Sequence, residues 1–111
     1  MTRYLISFDD GTMTFPREEL PDVAKAANAV VDEAKQAGVW VFGGGFHSHE
    51  EVSVVGTDGT VADGPEPKAY IGGFSVVDVA SREEALEWAA KIAVACRCAQ
   101  EVREFVPGST P

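Results

Sequence analysis

Two stretches of this 111-residue chain, VWVFGGGF from residue 39 and YIGGFSVVDV from residue 70, carry apolar side chains at both odd and even positions. Successive side chains of a strand point to opposite faces, so such runs need cover on both sides of a sheet. Only two other stretches have helical spacing, and two helices on one side leave the other side bare. A chain of this length with 45% hydrophobic residues builds one domain around one core. Its second sheet face must meet a second copy, closing a cavity between two sheets, or be covered by the chain's own loops.

The other elements follow from periodicity and end signals. RYLISF reads as a first strand, with Tyr4, Ile6 and Phe8 alternating with Leu5 and Ser7 before the turn-prone Asp9-Asp10-Gly11. A helix is predicted from Pro21 to Ala37, its inward stripe formed by Leu20, Val23, Ala24, Ala27, Val31 and Ala34. Pro21 suits the first turn, and Gly38 suits a left-handed stop. EVSVVG and TVAD flank Thr57-Asp58-Gly59 and predict a small hairpin. Ser81 with Glu84 predicts a capping box opening a second helix, with Ala85, Trp88, Ala89, Ile92 and Cys96 inward and Glu87 and Lys91 as an exposed i,i+4 pair. EVREFV supplies the last strand. The order is that of a ferredoxin-like α+β sandwich (βαβ-hairpin-βαβ): an antiparallel sheet with two helices on one face, in a single domain spanning residues 1–111.

Nine basic residues against eighteen acidic ones give a formal charge of −9, which repels phosphate backbones and anionic headgroups, so neither nucleic acid nor membrane is an expected partner. The N-terminal MTRYLISFDDG lacks the pattern of a secretory signal, and a cytoplasmic location is the expectation. Cys96 and Cys98 are too close for an ordinary structural disulfide and lack CxxC spacing, so both read as reduced thiols.

Chemistry-bearing residues gather in two places. In GGFHSHEE, His47 and His49 would share a face if the segment stays extended, and they are the only histidines. The stretch can be a solvated loop, a proton-transfer site or, with a third ligand from elsewhere, a metal site; no metal is expected. In DGPEPKAYIGGF, Asp63-Gly64-Pro65 makes a rigid turn or offers Asp63 as an acid/base group beside Lys68. Gly72 and Gly73 mark a bulge or a close backbone approach, or present amides to a ligand oxygen. No GxGxxG opens a helix, so this is not a dinucleotide fingerprint.

DGP followed by Lys68, then YIGGF, a valine-rich strand, SREEALEWAAK and EVREF resemble the YCII-related family of the DGPF type. The resemblance implies a dimeric α/β barrel with a ligand-binding or catalytic cleft, and an accessory link to extracytoplasmic-function sigma factors in some relatives. It also implies, for some relatives, a histidine paired with an aspartate, a pair that no motif places here. Where the family often has an aromatic after DGP and a Lys-Glu pair, this chain has Glu66 and Lys68-Ala69.

The expectation is a homodimer binding an unknown small molecule without a cofactor. As an enzyme it would perform isomerase- or lyase-like acid/base chemistry, with His47, Asp63 and Lys68 catalytic and Gly72, Gly73, Tyr70 and His49 binding the ligand. The alternative is an interaction protein engaging a regulator such as a sigma factor.

Overall fold

The computed structural model of the chain describes residues 1–63 and 70–110; the predicted turn at Gly64-Pro65 and Lys68 lie outside the described residues. Six strands and two helices form in the order β1 (Thr2–Asp9), α1 (Leu20–Gln36), β2 (Trp40–Gly45), β3 (Ser53–Val55), β4 (Val61–Asp63), β5 (Ile71–Val79), α2 (Arg82–Cys96) and β6 (Glu101–Glu104). Four of the strands make an antiparallel sheet ordered β2-β5-β1-β6, the ferredoxin-like arrangement, and β3 pairs with β4 in a separate hairpin.

The core lies between the sheet and the helices. Tyr4 and Ile6 of β1 and Val77 and Val79 of β5 pack with Ala34 of α1 and with Ala85, Trp88 and Ala89 of α2. Small helix residues let the helices approach the sheet, and Trp88 fills the space they leave. Tyr4 is buried on the same face, and its hydroxyl donates to Glu104 at 3.0 Å.

Helix ends follow the sequence signals with one shift. Gly38, at φ +75°, stops α1. At the start of α2 the Ser81 side chain accepts from the Glu84 N–H at 3.2 Å, while the Glu84 carboxylate takes the N–H of Ala80 rather than that of Ser81. Two surface expectations change. Lys91 pairs with Glu33 of α1 and sits 4.8 Å from the Trp88 ring centroid, so its partner is not Glu87. Reaching across the helix pair lets the stem cover Trp88, which an intrahelical pair would not do. Leu20 and Ala24, expected in the inward stripe of α1, are exposed; Val30 and Ala34 pack in the core, and Val23 is buried beside the groove along α1 and α2.

The face of the sheet away from the helices is apolar and open. Phe74 and Val76 of β5 and Leu5 of β1 lie on it half-buried, and Phe42 of β2 is 63% exposed. The Phe74 ring centroid lies 6.2 Å from that of Phe42 and 5.7 Å from that of Phe46.

The β1–β5 register holds the main local irregularity. Phe8 pairs with Gly73 and Asp9 with Ile71, so Gly72 is an extra residue in β5, a bulge. A Cβ on Gly72 would lie 2.6 Å from the Phe8 ring, and one on Gly73 would lie 2.7 Å from the Gly44 carbonyl oxygen and 2.9 Å from Phe8. The glycine pair therefore makes room for Phe8 to lie across the central strand. Gly73→Val should destabilise the protein by roughly 1–3 kcal/mol, as overpacking does; urea unfolding of wild type and variant measures this, and an unchanged midpoint would contradict it.

Candidate functional site

The bulge sits where β1 ends, and it sets the course of the next two residues. The N–H of Asp10 donates to the Tyr70 carbonyl at 2.6 Å, tying the exit of β1 to the entry of β5. That tie leaves the Asp10 carboxylate facing the segment that follows β2.

From that segment comes His49. Its backbone N–H donates to Asp10 Oδ2 at 2.9 Å, and its ring Nδ1 lies 2.8 Å from the same oxygen. The Tyr70 ring meets the imidazole edge-on, with centroids 4.8 Å apart at 89°. Both side chains keep contact with solvent, at 36% exposure for His49 and 27% for Asp10. An ionised carboxylate only accepts hydrogen bonds, so a neutral His49 carries its proton on Nδ1 and leaves the Nε2 lone pair available.

Two hydrogen bonds to one carboxylate have an electrostatic consequence. The backbone N–H of His49 first, and its ring second, hold the Asp10 carboxyl below its ordinary value of 3.8. Asp10 is thus ionised throughout the neutral range and can orient an imidazole and stabilise an imidazolium.

His47 and His49 do not share a face as an extended chain would require. After Phe46 the backbone leaves the sheet, and a 3₁₀ turn forms over His49–Glu51 with the Ser48 side chain accepting from Glu50 N–H. His49 turns toward Asp10, while His47, 92% exposed, stands 3.8 Å from Glu51. Among the described residues no three His, Cys, Asp or Glu side chains gather as a metal site would require.

Of the other predicted residues that the structure describes, three lie at the pair and one does not. Asp63 lies in the β3–β4 hairpin, where Ser53 donates to it, apart from the His49–Asp10 pair. Tyr70 joins the pair directly, and Gly72 and Gly73 lie beneath Phe8 beside it. Asp10 was read only as part of a turn. The usable signal was topological: antiparallel pairing of the first strand with YIGGF puts Asp10 at the start of that strand.

Cavities surround the pair. A depression of about 390 Å³ is lined by Phe8, Asp10, Met13, Gly45, Phe46 and Gly72. Another of about 380 Å³, on the His49 side, is lined by Phe46, His47, His49, Val52 and Ile71. A third of about 480 Å³ lies between the sheet and the helices and shares Phe8, Met13 and Gly45 with the first. A groove of about 690 Å³ along α1 and α2 is lined by neither histidine nor Asp10.

Fold and pair together define a small α+β protein with a histidine–aspartate site at one end of its sheet. The YCII-related domain profile matches residues 2–107, and the chain belongs to that family. Among solved structures it is similar to the 5-chloro-2-hydroxyhydroquinone dehydrochlorinase (TftG) of Burkholderia phenoliruptrix in complex with 2,5-dihydroxybenzoquinone, at 18% identity and TM-score 0.54, covering 97% of this chain and 96% of that one. That likeness concerns the fold. A comparison with curated protein sequences finds no match. Among the described residues no helix is long and apolar enough to cross a membrane.

The depressed Asp10 fixes the sign of a pH effect. A carboxylate with a lowered folded pKa contributes stability above its unfolded value and loses it as pH falls through the folded value. Asp10→Asn should therefore melt below wild type at about pH 7, with the gap closing below about pH 4. Thermal unfolding across that range checks it; a gap that widens in acid would contradict the Asp10–His49 interaction.

Proposed function

We propose that the protein is a small-molecule enzyme working by proton transfer, with His49 as the general base and acid and Asp10 as its positioning residue. The observation that carries this reading is the Asp10–His49 pair, whose Nδ1 contact at 2.8 Å leaves Nε2 free, with one cavity lined by His49 and another by Asp10. Nε2 removes a proton from an acidic C–H or O–H of the bound molecule. The imidazolium that forms is held by Asp10, and the proton is then returned to substrate or passed to a leaving group. Tyr70 restricts the ring from its edge. The ligand reading also draws on the fold neighbour, a dehydrochlorinase solved with a hydroxylated quinone, which makes small hydroxylated rings the first compounds to assay.

His49→Gln keeps much of the side-chain volume and removes the base. Against a panel of hydroxylated and halogenated hydroquinones and quinones, followed by absorbance and halide release, wild type should turn over at least one member. His49→Gln should lose about 10²–10⁴-fold in rate, the usual worth of a general base, and Asp10→Asn should lose less. A His49→Gln variant at wild-type rate would overturn the assignment.

The working unit proposed here is a homodimer packed through the open sheet face. Phe42, Phe74, Val76 and Leu5 form an apolar surface there, and Asp78 Oδ1, of the same strand face as Phe74 and Val76, is buried without a hydrogen-bond partner. Light scattering at micromolar concentration should give twice the chain mass of 11.8 kDa. Phe42→Glu, which removes a side chain already exposed in the single chain, should shift the protein to monomer while leaving its helical signal intact; wild-type mass at the monomer value would refute the dimer.

A further inference from the structure

A cavity of about 480 Å³ lies between sheet and helices, bordered by small residues of β2 and β5 and by the Phe8 and Trp40 rings. At the other end of that layer Tyr4, Val77, Val79 and Trp88 fill the space. Toward Asp10 the facing positions of β2 and β5 are Gly43, Gly45, Gly73 and Ser75, paired Gly43 with Ser75 and Gly45 with Gly73. The Trp40 ring lies over Gly43 and the Phe8 ring over Gly73 as walls of the slot, while Gly45 and Ser75 add at most a hydroxymethyl between them. Its walls are mainly apolar: Ile6, Phe8, Trp40, Val31 and Ile92.

Among the described residues one cation lines this slot. Lys35 follows Asn28 and Val31 at i, i+3 and i+7 on one face of α1, and all three border the cavity. Like Arg17, Lys25 and Arg82, Lys35 has no carboxylate partner among the described residues, and of these only Lys35 borders the slot. Cys96 also borders the slot. Burial first, and neighbouring Cys98 second, push its thiol up, so it reacts slowly at neutral pH and serves as a wall whose alkylation reports access to the slot.

We propose that the slot binds a small, flat, apolar organic anion, its ring body against Phe8 and Trp40 and its carboxylate or equivalent acid group at Lys35. This rests on the acid/base reading only in placing the reacting end of the molecule toward His49, through the walls shared at Phe8, Met13 and Gly45. The lining selects the class. An apolar slot with a single ammonium rejects polyanions such as nucleotides, whose further charges would be desolvated unpaired, and the −9 surface adds to that rejection. A monoanion has one charge to satisfy and a ring to bury.

Three probes test this: 2-naphthoate, its neutral counterpart 2-naphthalenemethanol, and N-ethylmaleimide acting on Cys96 in a Cys98→Ser background. Calorimetry should show 2-naphthoate binding about tenfold more tightly than the alcohol, the worth of one partly exposed charged hydrogen bond. Lys35→Gln should erase that preference and leave the alcohol within about twofold, since Lys35 is exposed and its loss does not touch the core. Bound 2-naphthoate should slow alkylation of Cys96. Equal affinity of acid and alcohol, a preference that survives Lys35→Gln, no binding of either, or unprotected Cys96 would each overturn the proposal. His49→Gln separates it from the proton-transfer reading: the Lys35-dependent preference should persist in that variant while turnover is lost. Turnover unaffected in His49→Gln would sink the base assignment and leave the anion slot standing.

Discussion

The packing of Phe8 across a glycine pair organises the end of this protein where Asp10 meets His49. Phe8 is the last residue of β1 before its register with β5 shifts, and its ring occupies the volume that Cβ atoms on Gly72 and Gly73 would claim. With Gly72 as the extra residue, the chain leaving β1 is brought against Tyr70, whose carbonyl takes the Asp10 N–H. A side chain at position 72 would also lie 3.2 Å from the Asp10 Cα. The bulge thus has a local packing cause and a chemical result: it points Asp10 at His49.

The same economy of side chains shapes the cavity. Glycine in a strand interior weakens the strand and is normally avoided there. Here β2 has three in succession, at the sheet edge, where fewer ladder hydrogen bonds depend on them. Gly43 leaves room for the Trp40 ring, 2.7 Å from where its Cβ would stand, whereas a Cβ on Gly44 would meet nothing within 4 Å. The stretch is therefore part packing requirement and part open wall. The slot lies on the helix side and the aromatic surface on the other face of the sheet, while Phe46, which lines both cavities at the His49–Asp10 pair, packs on Phe74 of that aromatic surface.

Most elements were legible in the sequence because their signals are local. Alternation marked β1, Gly38 marked the end of α1, Ser81 marked the start of α2, and Ala85, Trp88 and Ala89 are buried at their helical spacing. The surface was less legible. Glu87 and Lys91 have the spacing of a pair, yet Lys91 is held by Glu33 of the other helix, which no reading of one helix reveals. His47 and His49 likewise have the spacing of one strand face, but the chain turns between them when Ser48 caps a 3₁₀ turn and Asp10 captures the His49 N–H.

By itself the sequence determined the order of elements, the ferredoxin-like sheet and the existence of an apolar face that the helices cannot cover. Those follow from periodicities of two and 3.6 residues, and each is written within a dozen positions. Only the tertiary structure decided which histidine meets a part-buried carboxylate, His49 with Asp10. Asp10 and His49 are 39 residues apart, with α1 and β2 between them, and their contact is the outcome of sheet register. A single inserted residue, Gly72, sets that register, and it acts through the bulk of Phe8 on a neighbouring strand. Spacing along the chain records which residues share a face; only the pairing of strands brings a carboxylate to an imidazole.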